Sequence, residues 1–293
     1  MSIDGIVLVD KPEGPTSHDV VAACRKIFNT RKVGHAGTLD PMATGMLVIG
    51  IGRATRLLGH MAAHDKEYVA IMRLGQATET DDAQGEIIAS TPADELSDDE
   101  ILETIRGFRG HIQQRPSKVS AIKVDGKRAY ARVRAGEDIE LPARDVTVQD
   151  LEIISIERNS ELHVVDVTVR VVCSAGTYIR ALARDIGEQL GVGGHLTMLR
   201  RTRSGLFSAM TPLDVLRENP QVVALDDALR TAFPAVTLGE VDADKARHGR
   251  TVTAPLDAAD GLSGVFDETG APISLANISD SKVVPVVVFV GSE

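Results

Sequence analysis

The chain has 293 residues, a formal net charge of −10, 43% hydrophobic and 25% charged residues, proportions of a globular protein with room for one large domain and one small one. Its longest apolar runs, such as Val283 to Val290 with Pro285 inside, are too short to span a bilayer. The N-terminal Met1-Ser2-Ile3-Asp4-Gly5 lacks a basic stretch and apolar core, so a cytoplasmic protein with no signal peptide and no membrane association is expected.

Ile6-Val7-Leu8-Val9 predicts a buried strand feeding a loop at Lys11-Pro12. Ser17 reads as the N-cap of a helix to about Phe28, with Val20, Val21, Cys24 and Ile27 on one face. Residues 34–45 carry three glycines and a proline, which stop both helix and strand and predict a shaped loop. Met46 to Ile51 reads as a strand, Ala54 to Ala63 as a helix carrying Leu57, Leu58 and Met61, and Tyr68 to Leu74 as a strand. Ser97-Asp98-Asp99-Glu100 is a capping box opening a helix to about Arg106. Val146 to Ile156 and Leu162 to Val172 predict long strands, and Thr177 to Leu190 a helix stopped by Gly191. From about 236, short β-prone stretches predict a small all-β unit ending in the strand Val283–Val290. Cys24 and Cys173 lack CxxC spacing and read as buried free thiols, and no His/Cys cluster suggests a metal.

A net charge of −10 argues against simple nucleic-acid binding, because phosphate contacts need Lys and Arg. The distribution of the charges points the other way, since local potential decides binding more than the global sum. Residues 79–103 hold ten acids and no base, while 106–134 hold nine Lys or Arg against one acid, Asp125. The tail 236–293 holds nine acids and four bases. The basic segment, with Lys118, Lys123, Lys127, Arg128, Arg132 and Arg134, is the part expected to lie against a nucleic acid.

The densest information is in 34–45, Gly-His-Ala-Gly-Thr-Leu-Asp-Pro-Met-Ala-Thr-Gly. Its one carboxylate, Asp40, has no acid, base or cation within five residues except His35. A tight turn in which Asp40 bonds its own backbone is one reading. The run of constraints is longer than a turn needs, and favours a binding or catalytic loop.

This run, preceded by Lys11-Pro12-Glu13-Gly14-Pro15-Thr16-Ser17, resembles the TruB family of tRNA pseudouridine synthases. The resemblance continues at Lys66-Glu67-Tyr68, Arg73-Leu74-Gly75, Ser174-Ala175-Gly176-Thr177-Tyr178-Ile179-Arg180-Ala181-Leu182, and Gly193-Gly194-His195 through Leu199-Arg200-Arg201-Thr202. It implies an isomerase acting on the uridine at position 55 in the T-loop of tRNA. The implied fold is α/β, a mixed, largely antiparallel sheet with flanking helices and a thumb insertion over about 106–144. A catalytic domain 1–235 would be followed by a PUA-like β-barrel domain, 236–293. Because that tail is short and acidic, an RNA-binding role and a packing role both stay open.

Pseudouridine formation breaks the bond between uracil N1 and the ribose, turns the base and rejoins it through carbon. Nothing is oxidised and no group is lost, so no cofactor is expected. The site needs a carboxylate as nucleophile or base, a cation to hold it ionised, and a pocket for an extruded base. Asp40 supplies the carboxylate. By the resemblance Arg180 pairs with it, and an opposite charge nearby lowers an Asp pKa by about 1–3 units. Arg180 falls in the first turn of its helix, unfavourable for a cation against the macrodipole, which calls for a particular partner; the bland reading is a surface arginine.

Tyr68 is one of three tyrosines in a chain without Trp, and an aromatic under an unstacked base is worth about 1–3 kcal/mol. A half-buried strand tyrosine is the competing reading. The resemblance places Tyr68 on the target uracil, His35 in the gap left in the T-loop stack, and Leu199 along the uracil pocket. Gly37, Thr38 and Lys66 join them as substrate-binding positions, Lys66 sharing Tyr68's strand face. Lys11, with Pro12, is expected to buttress the loop floor. Arg200, Arg201 and Arg203 read as phosphate contacts or as a solvated charged turn, and Tyr178 as core. Ser120-Ala121-Ile122-Lys123 and the stretch containing Tyr130 carry the thumb signature. The expected partner is the T-arm stem-loop of tRNA, bound by a monomer. A non-catalytic RNA-binding or tRNA-folding protein would suit the basic segment but not require Asp40, Tyr68 and Arg180 together. A carboxylate hydrolase would need a second acid that the motif lacks.

Overall fold

The computed structural model describes residues 3–117 and 141–289, and the backbone of 123–124 and 127–128. Lys118, Ser120, Ala121, Ile122, Tyr130, Arg132 and Arg134 lie outside the described residues. The architecture is mixed α/β, in two compact units, Met1–His64 with Arg203–Glu293 and Asp65–Thr202.

In the first unit, β1 (Gly5–Lys11) pairs antiparallel with β3 (Thr44–Ile51), placing Lys11 opposite Gly45. β2 (Val33–Ala36) pairs antiparallel with β3. β13 (Thr211–Pro212) runs parallel to β1, and β14 (Val223–Ala224) runs antiparallel to it. Between β1 and β2 lies α1 (Ser17–Ile27), whose Val20, Val21 and Cys24 are buried. Its cap is Thr16, not Ser17: Thr16 accepts from the Asp19 backbone and Asp19 answers at the Thr16 N–H, a capping box one residue earlier than expected. A 3₁₀ turn over Gly52–Leu57 leads into α2 (Leu58–Ala62), so the helix expected from Ala54 is split.

The second unit orders its strands β12 (Gly194–Ser204, its last residues beyond the unit), β4 (Lys66–Leu74), β11 (Val164–Cys173), β10 (Arg144–Asn159) and β7 (Gly110–Gln114). The β4–β11, β11–β10 and β10–β7 pairs are antiparallel. β11 shows why its sequence makes a strand: Val165, Val167, Val169, Val171 and Cys173 are buried, while Asp166, Thr168, Arg170 and Val172 alternate on the other face. That outer face is tied by Arg73 to Asp166 and by Arg170 to Glu67, Asp150 and Glu152. β5 (Gln76–Thr78) and β6 (Ile87–Ser90) form a side hairpin, and α3 (Asp98–Gly107) opens on the Ser97/Glu100 capping box as expected. β8 (Lys123–Val124) pairs with β9 (Lys127–Arg128), Lys123 opposite Arg128. α4 (Ile179–Gln189) follows β11 and packs on β4.

The first unit closes with α5 (Leu213–Glu218), α6 (Leu225–Ala232) and a five-stranded sheet ordered β15 (Ala235–Leu238), β17 (Gly261–Asp267), β18 (Pro272–Ser279), β19 (Lys282–Val288) and β16 (Val252–Thr253). This tail is not all-β, because α7 (Glu240–Arg247) buries Ala243 and Ala246 against it. The other face of the sheet joins the N-terminal strands: Phe266, Leu275 and Phe289 share one core cluster with Ile6, Met46 and Val48. Arg53 and Arg56, in the turn after β3, donate to the carbonyls of Phe289 and Val288.

Candidate active site

The loop bearing Asp40 is shorter than its composition suggested. Gly34 to Ala36 belong to β2 and Thr44 and Gly45 to β3, so only 37–43 is free of strand. Glycines at both ends adopt left-handed conformations, Gly37 at φ 87° and Gly45 at φ 94°, where an L side chain would be strained. Leu39, Met42 and Ala43 turn inward and are buried, while Asp40 stays half-buried and Thr38 exposed. The Asp40 carbonyl accepts from the Ala43 N–H at 3.1 Å, so the carboxylate sits on a closed turn.

Two side chains fasten this turn from below. Lys11, at the end of β1 and level with Gly45, is 0% exposed. Its Nζ donates to Pro12 O at 2.8 Å, Pro41 O at 3.2 Å and Ala43 O at 2.7 Å, which uses all three ammonium hydrogens. Burial pushes its pKa down to about 8, against the opposing pull of the Asp40 and Glu13 carboxylates. Ser17 Oγ accepts from Leu39 N at 2.9 Å and donates to Leu39 O at 3.1 Å, stapling α1 to the residue before Asp40. The next residue, His18, stands edge-on to His35, ring centroids 5.4 Å apart. Lys11, His35, Gly37, Thr38 and Asp40 thus gather around one loop.

The second unit gathers another set. Lys66 and Tyr68 are buried on one face of β4, while Glu67 lies on the other, where it accepts from Thr202 Oγ1 at 2.9 Å. Strand alternation therefore places Leu199 and Arg201 on the Lys66/Tyr68 face and Arg200 on the Glu67 face. Arg200 is not brought to the others, and Arg201, 1% exposed, offers no open face to a phosphate. Instead it is a buried cation whose field, after desolvation, helps push the Lys66 ammonium down to about 8. Tyr178 is half-buried rather than core, its backbone held by the Gln114 side-chain amide.

Arg180, near the N-terminus of α4, has two of its partners in the acidic segment. Its Nη1 donates to Asp82 Oδ2 at 3.2 Å and to Thr80 O at 2.9 Å, with both charged residues 4% exposed. Asp82 Oδ1 also accepts from Thr80 Oγ1 at 2.6 Å and Gln84 N at 3.0 Å. One turn on, Arg184 binds Asp81 at 3.0 Å. In the sequence Asp81 and Asp82 sit in an acidic run with no role marked out for them; the cue was the arginine against its helix dipole, one of whose partners lies 98 residues away. Among the described residues no group of three His, Cys, Asp or Glu gathers to hold a metal, and no helix is long and apolar enough to cross a membrane.

A model described as TruB family pseudouridylate synthase (N terminal domain) matches residues 25–179, and one described as tRNA pseudouridylate synthase B C-terminal domain matches 180–231. The chain belongs to the TruB family. It is 51% identical to the tRNA pseudouridine synthase B of Mycobacterium sp. (strain KMS), over 97% of this chain and 96% of that one. With that of Thermobifida fusca (strain YX) it shares 49% over 99% of both. Among solved structures, a Cbf5-Nop10-Gar1 complex contains a chain 28% identical with a TM-score of 0.71, covering 98% of this chain and 84% of that one. An H/ACA RNP bound to a substrate RNA containing 2'-deoxyuridine contains one at 27% and 0.72, covering 98% and 85%.

Proposed function

We propose that this chain converts uridine to pseudouridine at position 55 in the T-loop of tRNA, with Asp40 as the catalytic carboxylate. The observation that carries the reading is the Asp40 turn, held by three lysine hydrogen bonds and a serine staple in a chain of this family. A fixed carboxylate suits a reaction whose reacting atoms must realign while the freed base turns, since a misplacement of about 1 Å can cost about 10²-fold. In this mechanism the N1–C1′ bond breaks, the base rotates, and a C5–C1′ bond forms while the C5 proton is exchanged for one on N1. Asp40 acts as nucleophile or base, and Arg180, anchored on Asp82, supplies the cation that pairs with it. Tyr68 stacks on the extruded uracil, and Leu199 lines its pocket with Lys66 behind. His35 fills the space the base vacates, and Gly37 and Thr38 shape the rim.

Lys123, Lys127, Arg128 and Arg200 contact RNA phosphates; Lys11 and Arg201 work from beneath. The thumb, about 106–144, closes on the T-arm, and 236–293 forms a PUA-like domain after the catalytic domain 1–235. The protein acts as a cytoplasmic monomer, with no cofactor. The test is Asp40→Asn in single-turnover pseudouridylation of a T-arm stem-loop: turnover is abolished and RNA binding stays within a few-fold, because size is kept and the reactive oxygen lost. Residual turnover above a small percentage of wild type removes Asp40 from this role.

A further inference from the structure

We infer that the cationic stretch Arg25–Lys32 is a second phosphate-binding surface, which holds the RNA backbone outside the nucleotides around the target uridine. Residues 20–39 contain Arg25, Lys26, Arg31 and Lys32 and no acid, in a chain of net −10. All four are exposed. Arg25 and Lys26 occupy the last turn of α1. Beyond its cap at Phe28, Asn29 turns the chain at φ 46°, and Arg31 and Lys32 precede β2. Arg217 of α5 joins Lys26 across an open cleft of about 510 Å³.

Among the described residues, Lys26, Arg31, Lys32 and Arg217 form no ion pair. Other surface arginines are matched, such as Arg53 by Asp4 at 2.8 Å and Arg158 by Asp98 at 2.6 Å. The acids near the patch are Asp19 on α1 and Asp214 and Glu218 on α5. Asp19 shares the cleft, but its carboxylate is taken by Thr16 N at 2.8 Å and Thr16 Oγ1 at 2.6 Å. The helix dipole accounts for cations in the last turn, at about 0.3–1 kcal/mol each, but that effect ends with the helix. Arg31 and Lys32 lie past it.

What places the patch on the substrate is its continuity with the active site. Lys32 stands just before β2 and three residues before His35, roughly 10 Å at strand rise, and the Asp40 loop follows β2 directly. A polyanion seated with its target uridine over Asp40 carries its next phosphates across this surface. The inference rests on the proposed RNA-modifying function and names a surface of that same substrate.

The test is the triple variant Lys26→Gln, Arg31→Gln, Lys32→Gln. Arg25 is spared because its guanidinium donates to Val33 O at 3.3 Å and so helps hold β2. Binding of a tRNA transcript is measured over a salt series, with steady-state kinetics and the thermal midpoint alongside. For every phosphate the variant no longer engages, the slope of log affinity against log salt flattens by about 0.7–0.9. A slope flatter by about 2, an affinity weaker by on the order of tenfold, a raised KM with kcat kept and an unmoved midpoint are expected. Failure of the underlying activity would show in the wild type, which would then form no pseudouridine. The surface itself is overturned when the wild type is active and the variant keeps its salt slope with KM and affinity within twofold.

Discussion

Lys11→Met separates the stability of the Asp40 loop from its shape. The substitution keeps an apolar stem of similar length and deletes the ammonium that three carbonyls share. Ala43 O is bonded in a buried position and loses about 1–3 kcal/mol of satisfaction, while Pro12 O and Pro41 O, partly reachable by water, lose about 0.5–1.5 kcal/mol each. Against this gross cost of roughly 2–6 kcal/mol stands the burial of a charge. The fall of the Lys11 pKa from 10.5 to about 8 means the fold disfavours the charged form by about 3 kcal/mol, a penalty methionine does not carry. The net change therefore runs from a gain of about 1 kcal/mol to a loss of about 3 kcal/mol, the latter at most about 10 °C in thermal midpoint for a chain of this size. Turnover falls much further, by 10²-fold or more, because the turn that aims Asp40 loses its floor. Thermal unfolding and single-turnover pseudouridylation of the same preparation check both numbers. Near-wild-type turnover, or a destabilisation beyond about 5 kcal/mol, would refute the reasoning.

Asp82→Asn keeps the size of the side chain but takes one carboxylate charge from beside the buried Arg180 guanidinium; a cost of about 1.5–3 kcal/mol in unfolding free energy and a drop in turnover are expected, and a variant with both intact removes Asp82 from this role. Ser17→Ala strips the Leu39 N–H and C=O of their buried partner and should destabilise by about 2–4 kcal/mol, more than the roughly 1 kcal/mol of Thr16→Ala at the true cap. Urea unfolding of the two variants decides the order; a Thr16→Ala cost equal to or above that of Ser17→Ala would show that the Leu39 staple is worth no more than the cap. The pH dependence follows from Lys11 and Lys66, both near 8 in the fold against 10.5 unfolded. Between those values the unfolded chain binds more protons, so these groups raise stability as pH climbs from about 8 to 10.5, and contribute no slope below. Turnover moves oppositely, since a neutral amine has two hydrogens for three carbonyls. Thermal midpoints of wild type and Lys11→Met over this range show the difference, which is absent if Lys11 stays charged.

What the sequence disclosed and what it hid divide by the range of the interaction. β1 follows from its apolar run, β4 from alternation, β10 and β11 from long β-prone stretches, and α3 from its capping box, because each signal is contained in a few neighbouring residues. Residues 34–45 misled at both ends: glycine density marked Gly37 and Gly45 correctly as special backbone, but β3 offers ladder partners that carry Gly34–Ala36 and Thr44–Gly45 into the sheet. Thr16 and Ser17 are equally good caps by type, and the choice fell to Leu39, 22 residues away, which claims the serine hydroxyl. Helix α7 escaped notice because it buries little besides Ala243 and Ala246 among charged residues. In the site, Asp40 and Tyr68 stood out by motif and by scarcity. Asp82 and the burial of Arg201 did not, for both depend on which strand or loop comes alongside.

The same distinction explains how an acidic chain can address a polyanion. Part of its negative charge is spent internally: Asp81 and Asp82 on Arg184 and Arg180, Asp166 on Arg73, and Glu67, Asp150 and Glu152 around Arg170. Paired acids present little field beyond about a Debye length, roughly 8 Å at physiological salt. Cations left outside such pairs, at Lys26, Arg31, Lys32 and Arg217, then set the local potential where they cluster, whatever the chain's total. Net charge counts both populations alike and so misstates the surface that RNA meets. The quantity that predicts binding is the unpaired cation density along the path to Asp40. Neutralising paired arginines such as Arg73 should therefore leave the salt slope of RNA binding nearly unmoved, while neutralising the Arg25–Lys32 stretch flattens it.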